Sequence, residues 1–578
     1  MGVVDDLFRQ QQVMAYDRSF WENAWRELAQ VYMPSASHLY DYGGGTYALS
    51  GAAREMTGLA ANPTAVSRGR ELYDATGAWA ADRLTAGMES LITPRAQKWH
   101  TFSNDDPFGR QATDLEEEWQ DRLRDYLFSA RYSAKANFSL ANQKRLRNTT
   151  VFGTGIVYLE ENEGRRGVDP VKTPFFYKSL PLIECYLGID AFDDIDKNIR
   201  IVEFSARAAA QYFKDTGGTI SEKLKTKADD PSQMEKPVSL MHAVLPREEA
   251  GEYSDQRRHM PFASFWVEVD TKHLVRSSGY GSFPYSVTWW EQTDGSAYGQ
   301  SPAMMMLADV KMLQVMNKSA AQAAQQAVKP PMATRKGIYR ERLNLNSGAI
   351  NVGYIDDQGR AMAQPLLTGA DPSFAERIIE LKRNSVREGM YTNLFQILVD
   401  NPQMTATEAL IRANEKGELL GPSGAKIETG IAAGVDREVD IISRKGAFEV
   451  GSPLEPPQSM VGKDIGVSFT GPLARLRRMQ ELQGVESVLG PAERIGQYDP
   501  TIMDNLDTGE TLEIAREISG APRKMLKTDD EVAAIRESRA QQQEQQASMM
   551  AMEQMAGAAG KATPALKAIG DMRRGVAA

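Results

Sequence analysis

The most informative segment of the sequence is SPAMMMLADVKMLQVMNKSAAQAAQQAVKPP, residues 301–331, because its pattern predicts an unusually long helix. Ser301 can cap a helix that has Pro302 at its first position. No helix-breaking residue follows until Lys329-Pro330-Pro331. We therefore expect one helix over 302–328, a rod about 40 Å long at about 1.5 Å per residue.

A single narrow polar stripe runs along this rod, and the rest of its surface is mostly Met, Leu, Val and Ala. The stripe consists of Lys311, Gln314, Lys318, Gln322 and Gln325. A helix that is apolar on most sides needs neighbours on most sides, which a monomer does not easily supply. The pattern therefore favours an assembly of several copies, and we expect a closed ring.

A second rod follows a Gly- and Asn-rich segment, residues 329–372, which we call the excursion. A capping box at Ser373 and Glu376 predicts a helix over 373–398. Pro402 cannot continue a helix and pushes the residue before it out of the helical region, so the chain should turn at 399–404.

A third helix should begin at the capping box of Thr405 and Glu408 and run towards Gly417. The helical pattern resumes beyond Gly421-Pro422 and extends to Gly446. The sequence thus predicts rod, excursion, rod, tight bend and a helix interrupted near residues 417–422.

The flanking regions differ in pattern. Residues 1 to about 150 show helical periodicity, including one helix from Asp114 to Thr149, and short β-type runs follow to about 291. After 405–472, with a short strand at Val467–Phe469, a helical lobe spans 473–540, and 541–578 is a low-complexity tail. The predicted class is α+β, predominantly helical.

The composition is typical of a large folded chain and contains more acidic than basic residues. Its 578 residues are 42% hydrophobic, and 67 Lys and Arg stand against 77 Asp and Glu, a formal net charge of -10. This charge argues against tight wrapping of nucleic acid, although a channel or local patch could still meet DNA.

The sequence lacks the residue spacings that are typical of nucleotide-binding enzymes and of metal sites. Gly421–Lys426 is the nearest approach to a phosphate-binding loop and lacks its spacing, while five histidines and the single Cys185 give no zinc spacing. Cys185 lies among apolar neighbours and should be buried. We therefore expect no cofactor, no metal and no enzymatic activity.

Two other classes of function stay open from the residues alone. Acidic pairs such as Asp193-Asp194 are dispersed but could assemble the site of a DNA-processing enzyme. An internal scaffolding protein would favour coiled coil and disorder over Trp-rich lobes. No basic-then-apolar leader and no apolar run of 18 residues occurs, so we expect cytoplasmic assembly without a membrane.

Several motifs, in this order, resemble the head-to-tail connector, or portal, proteins of short-tailed bacteriophages. The resemblance covers most of the chain, and Gln300 departs from it because related sequences often carry a basic residue there. The matching segments are Trp21–Pro34, Leu84–Met88, Leu91–Pro94, Trp99, Val151–Gly155, Tyr298–Pro302, Lys329–Pro331, Met404–Glu408 with Arg412, and Gly471–Arg475.

The resemblance implies a ring, typically of about twelve subunits, around a channel for double-stranded DNA. It implies the following regions: wing 1–300 and 405–472, stem helices 301–328 and 373–398, clip 329–372, tunnel loop 399–404 and crown 473–540. Its expected place is the portal vertex of the virion. The implied partners are terminase during packaging, tail adaptor or nozzle proteins later, and major capsid and scaffolding proteins.

Two groups of residues are candidate sites under this resemblance. Positive charge in the clip suits an acidic partner or DNA leaving the ring, although a solvated loop fits equally well; the residues are Lys329, Arg335, Lys336, Arg340 and Arg342. The tunnel loop would place short polar groups in the channel, although an ordinary turn fits too; its residues are Val399, Asp400, Asn401, Pro402, Gln403 and Met404.

Overall fold

The computed structural model divides the chain into two units, Met1–Met479 and Gln480–Ala578. The described residues are 2–40, 72–104, 113–162, 168–247, 259–334, 344, 346, 348–366, 372–395, 406–463, 465–496, 506, 508–519, 527 and 531–550. Helices and sheets are mixed in the first unit, which confirms the predicted α+β class.

The helices of the described residues are the following. They are α1 (Val3–Tyr32), α2 (Ser37–Tyr40), α3 (Thr76–Ile92), α4 (Asp114–Arg131), α5 (Phe138–Phe152), α6 (Ala206–Thr216), α7 (Glu222–Asp229), α8 (Pro302–Met305), α9 (Leu307–Val328), α10 (Pro372–Gly389), α11 (Ala406–Arg444), α12 (Pro472–Gly496), α13 (Thr508–Ser519) and α14 (531–550). The described part of the second unit is helical.

The strands form antiparallel sheets. They are β1 (His100–Asn104), β2 (Thr154–Glu161), β3 (Phe175–Leu180), β4 (Cys185–Ile189), β5 (Ile195–Ser205), β6 (Pro237–Pro246), β7 (Phe262–Glu268), β8 (Leu274–Tyr280), β9 (Tyr285–Trp289), β10 (Glu291–Gln292), β11 (Gly299–Gln300), β12 (Met332–Thr334), β13 (Ala363–Pro365) and β14 (Ile465–Phe469). One sheet has the order β4-β5-β6-β7-β8, another β3-β2-β9, and β1-β14, β10-β11 and β12-β13 are pairs.

The N-terminal helix α1 is held firmly along its inner face. Trp25 is buried against Tyr298, with ring centroids 5.2 Å apart. The buried Arg18 guanidinium donates a hydrogen bond of 2.6 Å to the backbone oxygen of Cys185 and pairs with Glu22 at 2.7 Å. Cys185 is buried as expected, and this burial raises the pKa of its thiol to about 12.

Two of the resembling motifs meet in space, although they are almost 150 residues apart. Gly153 has φ +81°, and a β-carbon there would lie 2.0 Å from the backbone oxygen of Gly299. The hydroxyl of Thr154 accepts the Gly299 N–H at 2.9 Å, and the Ser301 hydroxyl donates to the Val151 oxygen at 2.7 Å. Small residues are required here because two backbones touch, which ties the start of α8 to the three-stranded sheet.

The predicted single helix from Asp114 to Thr149 is wrong, because the chain forms α4 and α5 with a turn between them. Asn137 takes φ +65°, in the left-handed region that a helix interior does not allow. Its side chain donates to the Tyr177 oxygen at 3.0 Å, and Tyr177 N–H donates to the Ala136 oxygen at 2.9 Å. The hydrogen bonds of Ala136 and Asn137 with Tyr177 of β3 therefore explain why the helix ends before α5.

The predicted interruption near 417–422 is also wrong, because α11 passes through Gly417, Gly421 and Pro422 without ending. Pro422 lies on the exposed side of the helix. A β-carbon at Gly424 would lie 2.1 Å from the Leu473 side chain, so glycine here lets α12 approach closely. Tertiary packing therefore overrides the local breaking signals.

A buried ion pair joins α4 to α11 in the core of the first unit. The Arg131 guanidinium donates to both carboxylate oxygens of Glu438, at 2.6 and 3.1 Å, and Tyr177 donates its hydroxyl to the same carboxylate at 2.5 Å. Arg131 also contacts His100 Nε2 at 2.9 Å. Burial, and then the neighbouring Arg131 charge, hold the pKa of His100 well below its usual range, so this ring is neutral.

Candidate functional site: the two long helices α9 and α10

The two predicted rods lie side by side as α9 and α10, and both are interrupted at the same level. The first rod breaks at Met306, where φ is -88° and ψ is 0°, so α8 and α9 replace one continuous helix. The second rod ends at Gly389, not at 398, because Tyr391 takes φ +55° and a 3-10 turn follows at Thr392–Phe395. A β-carbon at Gly389 would lie 2.3 Å from the Met306 sulfur, so the breaks pack together.

A polar network around Asp74 ties both rods to the segment before α3. The Asp74 carboxylate accepts from Asn317 of α9 at 3.1 Å and from Arg383 of α10 at 2.9 Å. The Asp74 backbone oxygen accepts from the Gln314 side chain at 2.6 Å. Burial raises the pKa of Asp74, but hydrogen bonds from Thr76 and Arg383 outweigh it and hold that pKa below its usual value.

A second acidic side chain joins the rods directly. The Asp309 carboxylate accepts from the Lys382 ammonium at 2.8 Å and from the Ser385 hydroxyl at 2.9 Å. The hydrogen bond from Lys382 lowers the pKa of Asp309. Asp74, Asp309 and Arg383 were all missed from the sequence, since nothing local to each of them indicates a partner far along the chain.

Replacing Asp309 with asparagine is expected to reduce the free energy of unfolding by about 1 kcal/mol at pH 6.5, because an ionised acceptor becomes neutral. A carboxyl group with a lowered folded pKa stabilises the fold above its unfolded pKa of about 3.9 and loses that contribution as the pH falls through the folded value. Urea unfolding midpoints from pH 6.5 to 3 should therefore converge for parent and variant below about pH 4. Asp270→Asn, at an exposed carboxylate, is the control, and a gap that stays constant with pH would contradict the assignment.

Part of the predicted polar stripe contacts other residues of the same subunit, and the rest is exposed to solvent. Lys311 pairs with Glu27 of α1 at 2.7 Å, and the Lys318 ammonium lies 5.7 Å from the Tyr73 ring centroid. The Gln314 side-chain oxygen accepts the Tyr73 and Asp74 N–H groups at 2.9 and 3.1 Å. Gln322 and Gln325 are exposed. The first half of the stripe is therefore a structural contact within the subunit.

Each rod also presents apolar side chains to the surface. Val315 of α9 is 65% exposed, and Leu381 of α10 is 68% exposed. Val315 lies two residues from Asn317 and so projects from the opposite side of α9, while Asn317 contacts Arg383 of α10 at 3.4 Å. The exposed sides of α9 and α10 therefore point in different directions, away from their mutual contact.

The ends of the excursion between the rods are paired. Met332–Thr334 of β12 runs antiparallel to Ala363–Pro365 of β13, and the Leu366 N–H donates to the Pro331 oxygen at 2.8 Å. Lys329 is exposed at its base. The other predicted clip cations lie outside the described residues: Arg335, Lys336, Arg340 and Arg342. So does the whole predicted tunnel loop: Val399, Asp400, Asn401, Pro402, Gln403 and Met404.

The described residues offer no cluster of three or more His, Cys, Asp or Glu side chains arranged to hold a metal ion. Across the same part of the chain, no helix is both long enough and apolar enough to span a membrane.

The sequence profile of the family described as "Bacteriophage head to tail connecting protein" matches residues 5–526. The chain belongs to this family. It is 25% identical over 488 residues to the portal protein of Salmonella phage epsilon15, covering 82% of this chain and 83% of that protein. It is 24% identical over 555 residues to the probable portal protein of Bordetella phage BPP-1, covering 94% and 92%.

Membership makes the chain a phage portal subunit, a structural connector at a capsid vertex of the virion that meets capsid, terminase and tail components. The portal family is one of structural connectors and is not a known enzyme family. Two of the motifs that carried the resemblance contain closely packed glycines: Gly87 receives the Phe395 ring, whose nearest atom would lie 2.2 Å from a β-carbon there, and Gly471 lies against the end of α3.

Proposed function

We propose that this portal subunit forms a closed ring of about twelve copies, with α9 and α10 as its stem around a channel for double-stranded DNA. The observation that carries the proposal is the pair of exposed apolar sides on the two stem helices. In a ring, the contact is heterologous, so one surface of a subunit must meet a different surface of the next. We infer that the Val315 side of one copy meets the Leu381 side of its neighbour.

Contact between the Val315 side and the Leu381 side would remove both apolar side chains from water, which favours this pairing of surfaces. Charge beside these residues is mixed, because Lys311 is already paired with Glu27, and both Arg377 and Glu388 lie on the Leu381 side of α10. The apolar side chains therefore carry the proposal.

We propose for the other regions the roles that the resemblance to portal proteins implies. Residues 1–300 and 405–472 form the wing, the excursion 329–372 the clip, and 473–540 the crown. The clip, whose base carries Lys329, receives terminase during packaging and tail adaptor or nozzle proteins afterwards. Assembly takes place in the host cytoplasm together with capsid and scaffolding proteins. The net charge of -10 per subunit discourages DNA from adhering during transit.

Disulfide cross-linking tests the ring and its stem contact together, and the one native cysteine is buried, so introduced thiols react selectively. The variant Val315→Cys/Leu381→Cys, oxidised at micromolar concentration, should give a ladder of covalent oligomers ending in a closed species on a denaturing gel. Each single variant should give at most dimers. Val315→Cys/Val171→Cys, which pairs the stem position with an exposed wing residue, is the matched control. A monomer band alone, or a particle of monomer mass by sedimentation, would overturn the proposal.

A further inference from the structure

A row of large apolar side chains lies on the outer face of α1, and the described residues of the subunit leave it exposed. Tyr16 is 81% exposed, Phe20 is 80% exposed and Val13 lies one turn earlier on the same face. The spacing of three and four residues places them in one row along the helix. Single exposed apolar residues are common on protein surfaces, but a row of this kind marks a contact surface.

The outer row is presented rigidly. The opposite face of α1 is buried through Leu7, Trp25, Leu28 and Tyr32. The buried Arg18 bonds to the Cys185 backbone oxygen at 2.6 Å and so fixes the helix against β4. A surface held in place by such contacts loses little conformational freedom when it meets a partner.

The row continues directly into the exposed side of the first stem helix. Glu27 lies two turns beyond Phe20 on the same face, and its carboxylate meets the Lys311 ammonium of α9 at 2.7 Å. Val315 follows Lys311 by one turn. A strip of exposed side chains therefore runs from Val13 along α1, across the Glu27–Lys311 pair, to Val315.

We propose that the Val13–Tyr16–Phe20 row is a second subunit contact, which seats against the neighbouring copy of this chain in the ring. This inference rests on the proposed function, since the neighbour that covers Val315 is the molecule placed to cover the rest of the strip. Because contacts in a ring are heterologous, the row meets the flank of the neighbour that carries α10, where Leu381 is exposed. Helix α1 thereby extends the contact between copies from the stem into the wing.

The test introduces two carboxylates into the row of the full-length chain, as Tyr16→Glu/Phe20→Glu. Both side chains are exposed in the subunit, so the fold and the thermal unfolding midpoint should match the parent. Assembly should suffer, because two charges would have to be buried without partners, and the concentration for half-assembly should rise by roughly tenfold or more. The matched control is Gln12→Glu/Ser19→Glu, which adds the same charges to other exposed positions of α1 and should assemble like the parent.

Sedimentation velocity and negative-stain imaging across a concentration series give the outcome. Rings from the row variant at the parent's concentration would overturn the inference while leaving the proposed ring intact. Normal rings that fail to enter capsid shells would overturn it too, since the row would then bind a shell protein. If the parent itself stays monomeric, the proposed function fails, and the Val315→Cys/Leu381→Cys ladder would fail with it.

Discussion

Replacing Glu438 with glutamine is expected to lower the free energy of unfolding by about 3–5 kcal/mol. The Arg131 and Glu438 side chains are 0% and 2% exposed. Removing only the negative charge leaves the Arg131 guanidinium buried without a counter-charge, and desolvated charges without partners are costly. Chemical unfolding of the purified chain, followed by circular dichroism, measures the loss.

Two further variants separate this buried charge from general damage to α11. Asp440→Asn removes the carboxylate of the partly exposed Arg444–Asp440 pair on the same helix, where the nitrogen–oxygen distance is 2.5 Å, and should cost about 1 kcal/mol or less. Arg131→Met/Glu438→Leu removes both charges and should recover only part of the loss, because apolar residues can replace a buried pair but the Tyr177 hydroxyl and His100 lose their partners. If Glu438→Gln is no more harmful than Asp440→Asn, the pair contributes little to stability.

Converting Asp400 and Gln403 to lysine is expected to slow DNA packaging or weaken DNA retention several-fold without preventing ring assembly. We propose that 399–404 is the tunnel loop at the narrowest level of the channel, where short polar groups pass DNA without holding its phosphates. Lysines from about twelve copies would add phosphate contacts in one small zone, and each such contact releases counterions and strengthens binding.

Packaging rate with purified terminase, measured at low and high salt, gives the outcome. The defect should shrink as salt rises, because phosphate contacts are screened by salt. Asp270→Lys/Gln12→Lys makes the same types of substitution at exposed positions of the first unit and should package like the parent. If the loop variant also behaves like the parent at every salt concentration, residues 399–404 are only a connector between helices.

Local signals in the sequence predicted the elements that depend on near neighbours along the chain. The cap at Ser301 was confirmed by its hydrogen bond from the Met304 N–H at 3.0 Å. The strand at Val467–Phe469 was confirmed within β14, and the burial of Cys185 followed from its apolar surroundings. Caps, proline effects and periodicity act over a few residues, so a single sequence contains them.

Tertiary contacts decided what the local signals could not. The turn at Asn137 depends on Tyr177, and α11 continues through Pro422 where it packs against α12. The partner of Asp74 is Arg383, more than 300 residues away. No periodicity encodes such a pairing, because it is set by which surfaces the folded chain brings together.

The helices α9 and α10 show the same division between local and tertiary information. Both helices were predictable from their caps and the spacing of their apolar residues, because helix formation is local. The faces they use were not: half of the polar stripe binds Glu27, Tyr73 and Asp74 of the same subunit, and the exposed sides carry Val315 and Leu381 instead. Which side of a helix is covered depends on neighbours distant in the chain, and only the packed structure supplies them.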